Sequence, residues 1–417
     1  MQRYNLVVVG GGLSGVAAAV SAAREGLKVL IIEQSGCFGG AISNNLVFPF
    51  MKHWRTDENG ERELLSRGLF SEMKRRQDEK IGGCNDRTFA PEYFKMVLDD
   101  MILDSGVDYL FYTTAFEVQT DGSRIKAIKV LAKSTVLTVE ADFFIDATGD
   151  GDVFALAGCD FQLGRENDGL CQPMTTCFRS ANVDVEGLYK EKETKLNALY
   201  KELQDEGKIR NPRENLLFMR GIDDDVMHFN TTRVLHCDPT DAFDLSRAEI
   251  EARKQVYEMD SFLREHSQAY KKGKIVSMST KIGVRESRKL KGLHILTGEE
   301  IKNCVHFEDS IACANYDLDI HSPDGSGTYI YVFKGSEYYT IPYRSLLPKE
   351  YVNLVVAGRC LSATHEAHSA VRIMSTCACM GEAAGCAVGV AFNTGANAHT
   401  VDIQAVRKKL TDYGARV

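Results

Sequence analysis

The feature that most constrains this chain is a glycine pattern, Gly10-x-Gly12-x-x-Gly15, wedged between an apolar run and an alanine-rich run. Tyr4 to Val9 is almost wholly apolar, as a parallel strand buried on both faces must be. Val16 to Glu25 reads as a helix stopped by Gly26, and Lys28 to Ile32 as a second apolar strand ending in Glu33. Each piece has a physical reason. Gly10 permits a tight turn, Gly12 lets the backbone approach a pyrophosphate, and Gly15 lets the helix pack close to the strand. The helix start, with Leu13 and Ser14, presents free N–H groups and partial positive charge to phosphates. Glu33, followed by Gln34, is placed to accept hydrogen bonds from a ribose diol.

This unit fits NAD and FAD equally well. Gly36-Cys37-Phe38-Gly39-Gly40 favours FAD, because its further glycines let a longer ligand pass close to the backbone on its way to a flavin ring. An ordinary glycine turn is the alternative. Further along, Gly106 to Val118 reads as a strand pair, and Ile125–Val130 with Thr135–Val139 as a short meander. A separate apolar strand then runs from Ala141 into Asp146-Ala147-Thr148-Gly149-Asp150-Gly151-Asp152, with a helix from Val153 to Ala157. Near the C-terminus, Tyr351 to Ala357 is apolar and stops at Gly358-Arg359. A small-residue helix follows from about Ser375 to Phe392, with Gly381, Ala383, Ala384 and Gly385 suited to close approach.

These three blocks together resemble the FAD-dependent oxidoreductases of the broad glutathione-reductase-like flavoprotein superfamily. The likeness is nearest to a bacterial single-FAD family related to the fumarate-reductase-type flavoproteins. It runs from end to end, including Val284-Arg285-Glu286-Ser287-Arg288 and Asp319-Ile320-His321-Ser322-Pro323-Asp324-Gly325. The resemblance implies that Gly12, Gly15 and their helix hold the pyrophosphate and that Glu33 holds the adenosine ribose. Gly39, Gly40 and Ala41 would follow the ribityl chain. Gly149 and Asp150 would lie on the adenosine side and Gly358-Arg359 near the ribityl chain and ring, with Val118, Ala147 and Thr148 also expected to bind the cofactor. The superfamily commonly has Gly-Asp at that last position. Arginine cannot accept a bond from a ribityl hydroxyl, so Arg359 is expected on a phosphate or on the flavin carbonyls. The C-terminal helix would aim its N-terminus at the flavin N1–C2=O edge, stabilising anionic reduced flavin by roughly 0.3–2 kcal/mol.

The expected fold is therefore α/β: a discontinuous Rossmann-type FAD-binding domain (1–40, 91–160 and 346–417) with an inserted α+β substrate or cap domain (41–90 and 161–345). At 417 residues the chain is long enough for both. In the insertion, Asn182–Gly207 and Leu245–Lys272 read as helices. Leu216–Arg220, Lys274–Ser279, Thr328–Phe333 and Tyr338–Tyr343 read as strands, while Asn44–Trp54 and Gly82-Gly83-Cys84 have no Rossmann role.

Bulk properties exclude other classes. A formal net charge of -8 disfavours a nucleic-acid partner. No apolar run was expected to span a bilayer, and the opening segment lacks the apolar core and cleavage site of an export signal, so a cytoplasmic location is expected. The twelve cysteines then read as buried thiols.

Four places could carry chemistry. Arg285 and Arg288, three apart, would form a bidentate site for a carboxylate or polar substrate, or else an ion-pair network with Glu286. His321 lies in a Pro- and Gly-containing loop and suits a functional or turn-stabilising role. Thr364-His365-Glu366-Ala367-His368, with Arg372, leaves a strand end beside the expected ring, where a histidine suits proton transfer; pocket shaping is the alternative. His365-x-x-His368 with Cys377-x-Cys379 invites zinc, but cysteines two apart on a helix face different sides, and no metal is expected.

Disulfide-reductase chemistry is not expected, because Ala41–Phe50 holds no redox cysteine pair and Cys37 stands alone. No second G-x-G-x-x-G marks an NAD(P)H domain, and no histidine in Ala41–Leu46 offers a covalent flavin link. The reading is an enzyme that moves a hydride between flavin N5 and a small organic substrate. His365 would handle protons, with Arg285 and Arg372 holding the substrate. A diffusible or protein electron carrier would serve the other half-reaction, and an oligomer is compatible. An NAD(P)-dependent dehydrogenase and a non-catalytic FAD-binding or tRNA-modification partner are the alternatives.

Overall fold

The first strand, β1 (Arg3–Val9), is the centre of the molecule because Leu6, Val7 and Val8 have no exposed surface at all. Full burial of such side chains contributes about 1.5–3 kcal/mol each. In the computed structural model, which describes residues 3–82, 87–325 and 327–417, β1 pairs in parallel with β2 (Val29–Ile32) and with Thr135–Asp146. Gly83 and Cys84 lie outside the described residues. Asp108–Leu110 extends the sheet beyond β2, and Leu354–Val356 adds a parallel strand alongside Phe144–Asp146.

Two expectations about this sheet are corrected. The meander strand and the apolar strand beyond it are one twelve-residue strand, Thr135–Asp146. Its first half pairs antiparallel with Arg124–Ala132, and its second half lies parallel between β1 and Leu354–Val356. The single strand thus joins a solvent-facing meander to a buried parallel core, which explains why its hydrophobic pattern changes midway. The strands within 106–118 do not pair with each other. Asp108–Leu110 joins β2, whereas Thr113–Asp121 pairs with Arg124–Ala132.

Helix α1 (Leu13–Arg24) follows β1, and all its residues from Leu13 to Ala22 are buried. It is covered by the C-terminal helix Met374–Thr394, whose glycines allow backbone contact: a Cβ on Gly385 would stand 2.2 Å from the Ala18 carbonyl oxygen. That 21-residue helix is long and apolar enough to cross a membrane, contrary to the sequence expectation, but 89% of its apolar window is buried inside the fold. Helices Leu69–Ile81 and Pro91–Asp104 complete this core, so part of the span assigned to the cap packs with the main sheet.

The insertion centres on a four-stranded antiparallel sheet ordered Phe218–Arg220, Met227–Phe229, Phe178–Ala181, Lys274–Met278. Phe178 and Phe229 stack across it with ring centroids 4.6 Å apart. The long helix Ala242–His266, capped by the Asp241 side chain, packs on this core. The expected helix at 182–207 runs as Val185–Glu191, a π turn Lys192–Leu196 and Asn197–Asp205.

One buried acid makes the packing of the C-terminal helix pH-sensitive. Glu382 is 2% exposed and its carboxylate accepts the Leu69 N–H at 2.9 Å, at the first turn of the Leu69–Ile81 helix. Burial pushes this carboxyl from 4.5 up to about 7, partly offset by the Leu69 bond. The folded state therefore holds the proton more tightly than the unfolded chain. That contribution to stability is complete below the ordinary value and is lost as pH rises through about 7. Urea denaturation of the wild type is expected to show falling stability across this window. Glu382→Gln, which keeps an acceptor for Leu69, should flatten the dependence; an unchanged slope would rule out Glu382 as its source.

Candidate functional site

The glycines behind β1 do three different jobs. Gly10 has φ +103°, and a Cβ there would lie 2.3 Å from the Ala147 carbonyl oxygen. A Cβ on Gly15 would stand 1.8 Å from the Gly10 carbonyl oxygen, so only glycine lets α1 start this close to the strand. Gly12 differs: a Cβ there would meet nothing within 4 Å. Open space therefore lies at the mouth of a helix whose first turn has no side-chain cap, and the buried Ser14 hydroxyl beside it lacks a partner among the described residues. Leu13 is buried at the same turn. An uncapped helix start, an open glycine and an orphaned hydroxyl suit the pyrophosphate of FAD.

The next loop folds onto this turn. Gly39 N–H donates to the Gly11 carbonyl at 2.8 Å, Gly39 and Gly12 form a parallel bridge, and Gly40 lies against Gly12, with Ala41 following at partial burial. Glu33 is buried at the end of β2. One of its oxygens accepts Gly11 N–H at 2.7 Å, and the other accepts the Ser35 N–H and hydroxyl at 2.7 and 2.6 Å. A carboxylate has about four acceptor positions, so capacity remains for a ribose hydroxyl. Gln34 is exposed. The Glu33 backbone is held by the neighbouring strands, its N–H donating to the Leu110 carbonyl at 2.8 Å and its carbonyl accepting the Thr113 N–H at 3.1 Å; Val118 lies further along the strand Thr113–Asp121.

The Asp146–Asp152 turn is held by its own side chains. Asp146 has no exposed surface and accepts from Thr148 N, the Thr148 hydroxyl and Phe154 N at 3.1, 2.7 and 3.0 Å. Burial pushes its carboxyl up to about 6 against those bonds. Thr148, whose hydroxyl also accepts Asp152 N–H at 2.9 Å, is thus engaged in the turn, and Ala147 is the spacer against Gly10 and Gly15. Gly149 and Asp150 project from it toward the last strand. There the Gly358-Arg359 departure finds its explanation: Arg359 pairs with Asp150 at 2.8 Å, and the Ser287 hydroxyl binds both, at 3.1 and 2.6 Å. Within the protein Arg359 is directed at Asp150.

The four candidate catalytic residues fall into two adjoining groups. His365, 5% exposed, faces the fully buried Glu286 carboxylate through Nδ1 at 2.8 Å. Glu286 also takes the ammonium of fully buried Lys289 at 2.5 Å and the Gln172 N–H at 3.1 Å. Burial alone would raise the Glu286 carboxyl, but His365 and Lys289 hold it well below the usual carboxylate range. The carboxylate is therefore ionised, and His365 presents Nδ1–H to it.

The second group is an arginine cluster. Arg285 donates to the Pro173 carbonyl and the Thr175 hydroxyl at 2.5 Å each, and Arg372 donates to Gln172 Oε1 and the Asp319 carbonyl at 3.3 Å each. Burial, then repulsion from Arg372 and Arg213, lowers the Arg285 guanidinium to about 9, still cationic at neutral pH. His321 Nε2 lies 3.4 Å from the Asp319 carboxylate. Burial and nearby Arg285 nonetheless bring the ring down to about 3, so His321 is neutral. It does not sit in the loop but ends the strand Leu318–His321.

The expected Arg285/Arg288 fork does not form. Arg288 turns the other way, to Asp152 at 2.9 Å and the Asp150 carbonyl at 3.2 Å, and Glu286 pairs with neither arginine. Arg288 opens the strand Arg288–Leu290, which directs its side chain to Asp152 and away from Arg285. The zinc alternative finds its side chains dispersed. His368 Nε2–H donates to the Arg359 carbonyl at 2.9 Å, while the Cys377 and Cys379 thiols reach the Val371 and Arg67 carbonyls at 3.9 Å.

Gln172 was not legible in the sequence, since no motif marks it. Its N–H binds Glu286 and its side-chain oxygen accepts from Arg372 and from His321 N–H at 3.3 Å, joining the two groups. Asn44 ties them to the glycine loop: its carbonyl accepts the Thr280 N–H at 2.9 Å, five residues before Arg285.

Filling the open space at Gly12 separates cofactor binding from folding. Gly12→Val, at a residue with ordinary φ of -67°, should leave thermal stability of the flavin-free protein close to wild type while the purified protein loses most of its visible flavin absorbance, because the added side chain fills the space the pyrophosphate needs. Retention of full flavin content would contradict the placement of the pyrophosphate there.

The sequence profile of the FAD dependent oxidoreductase family matches residues 5–410. A mitochondrial dihydrolipoyl dehydrogenase of Schizosaccharomyces pombe is 29% identical over 157 residues, covering 35% of this chain and 28% of that protein. A digeranylgeranylglycerophospholipid reductase of Picrophilus torridus is 27% identical over 204 residues, covering 45% of this chain and 49% of that protein. The chain thus spans less than half the length of either relative. A geranylgeranyl bacteriochlorophyll reductase-like protein from Thermoplasma acidophilum shares the fold, with a TM-score of 0.53 at 13% identity over 99% of this chain and 84% of that one. With a match over nearly its whole length, and a glycine turn shaped for the dinucleotide, the chain belongs to the FAD-dependent oxidoreductase family and is an FAD-dependent enzyme.

Proposed function

We propose that this enzyme moves a hydride between its flavin and a small organic anion. The observation that carries the reading is that Arg372, within electrostatic reach of Arg285, donates to the side chain of Gln172, whose N–H binds Glu286 of the Glu286–His365 pair. FAD, when bound, supplies a two-electron hydride donor or acceptor at N5. The chain supplies the rest. Arg285 and Arg372 hold the anionic group of the substrate; the Arg372 Nε and Gln172 Nε2 atoms are buried without partners among the described residues and are free to donate. Glu286 accepts Nδ1–H of His365, which fixes the tautomer and leaves Nε2 to take or return the substrate proton. Lys289 keeps that carboxylate charged. Asp319 and neutral His321 line the anion site.

Nearness to the fumarate-reductase-type flavoproteins within the glutathione-reductase-like superfamily is part of the same reading, supported by the three sequence blocks around Gly12, Gly149 and Gly358. So is a diffusible or protein carrier for the second half-reaction, since no second nucleotide motif is present in the sequence.

The test is anaerobic bleaching of the oxidised enzyme, and reoxidation of the reduced enzyme, against a panel of small carboxylates and their neutral amides. Anions should react and amides should not. With the reacting anion, His365→Ala should slow single-turnover flavin reduction or oxidation by about 10²–10⁴-fold, the usual range for a general acid or base. Glu286→Gln should reduce the rate less and move the pH profile. Arg372→Ala should raise KM more than it lowers kcat. An unchanged rate in His365→Ala would remove it from the chemistry, and reaction with amides alone would overturn the anion assignment.

A further inference from the structure

Arg285 and Arg372 do not exhaust the positive charge at this site. Arg213, on the segment entering the inserted sheet, is 7% exposed and lies within electrostatic reach of Arg285, Arg233 and Asp319. Its Nε and Nη1 atoms are buried and have no hydrogen-bond partner among the described residues; the nearest carboxylate, Glu214, stands 4.0 Å from Nε. Arg233, 1% exposed, is better satisfied, with Nη1 3.3 Å from Glu214 and Nη2 3.3 Å from the Thr328 hydroxyl. Nη2 also lies 3.4 Å from His321 Nδ1, which ties Arg233 to the anion site.

The charges do not balance. Among the described residues, four guanidinium groups, Arg213, Arg233, Arg285 and Arg372, face two carboxylates, Asp319 and Glu214. Two acidic side chains beside these arginines, Cys177 and Tyr200, do not make up the deficit. Burial keeps the Cys177 thiol up at about 12 although Arg285, Arg179 and Arg213 surround it, so it is no thiolate. The Tyr200 phenol beside Arg213 is likewise held protonated by burial. Folded proteins rarely retain buried charges without counter-charges, and the excess here is two. A guanidinium with free N–H groups presents a planar fork that matches a carboxylate or a phosphate.

Resting on the anion assignment made above, we propose that the substrate is a dianion and that Arg213, backed by Arg233, binds its second anionic group, distal to the one held by Arg285 and Arg372. The substrate then lies with one end beside Gln172 and the other toward the inserted sheet. Arg213 is a specificity-determining residue: it selects doubly charged molecules and takes no part in proton or hydride movement.

The experiment uses the FAD-loaded enzyme and reads binding from changes in the flavin absorption band. Titrants are butyrate and valerate as monoanions, succinate and glutarate as dicarboxylates of matching length, and 3-phosphonopropionate as a carboxylate–phosphonate. The dianions should bind at least about tenfold more tightly than the monoanions. Arg213→Gln should abolish that preference while changing butyrate and valerate affinity less than about twofold. Arg213→Lys, which keeps the charge and lacks the fork, should retain part of it and serves if the glutamine variant does not fold. Preference for glutarate or for the phosphonate names the group that Arg213 takes. Equal binding of monoanions and dianions, or a full preference surviving in folded Arg213→Gln, would overturn the proposal. Arg372→Gln is the separate control: it should weaken every titrant, and if it weakens none, the underlying anion assignment fails as well.

Discussion

Backbone-to-backbone contact around α1 is the constraint on which the structure depends. Gly15 rests on the Gly10 carbonyl, Gly10 on Ala147, and Gly381 and Gly385 on the carbonyls of Ser14 and Ala18. No side chain separates β1, α1, the Asp146–Asp152 turn and the C-terminal helix at these points. The helix start cannot shift without moving all of them, because close-packed interiors have no slack to absorb such a change. The open space at Gly12 is thereby held in one place, with the uncapped N–H groups of α1 facing it. The same glycines give up side-chain burial, and the fully buried aliphatic residues of β1 and the alanine face of α1 offset that loss.

Two buried charge systems lie beyond the glycine turn, and they differ in kind. Lys289, Glu286 and His365 are closed: one cation and one carboxylate with short contacts, and a histidine oriented by them. Such an arrangement positions a ring nitrogen. The arginine system is open, with more cations than anions and donors that lack a hydrogen-bond partner among the described residues. Unsatisfied charge of that sort costs stability in the free protein and is regained when a matching ligand enters, a way of tying recognition to charge. Gln172 touches both systems, so a ligand drawn into the open one is delivered next to the closed one.

Much of the cofactor half was legible because its determinants are local. Gly10, Gly12, Gly15 and Glu33 lie within 24 consecutive residues, and strand, turn and helix follow from their order. His365 and Arg372 stand out in the sequence as polar residues after a strand end, and the structure sets the first against Glu286 and the second against Gln172. Other expectations gave way where partners are distant in sequence. Arg288 turned from Arg285 because Asp152 waits on the other side, 136 residues earlier. Arg359 found Asp150 at a separation of 209 residues. His321 was read as a loop residue because Pro323 and Gly325 follow it, yet pairing with Thr328 holds it at a strand end.

By itself, then, the sequence determined the dinucleotide turn, the parallel core and the kind of cofactor, because each rests on short-range steric rules for glycine, helix starts and buried strands. Tertiary structure alone decided which charges meet. Glu286 with His365, Gln172 between two clusters, and four arginines around two carboxylates all arise from segments far apart along the chain. Electrostatic character depends on distance and burial in space, and neither is written in the order of residues along the chain.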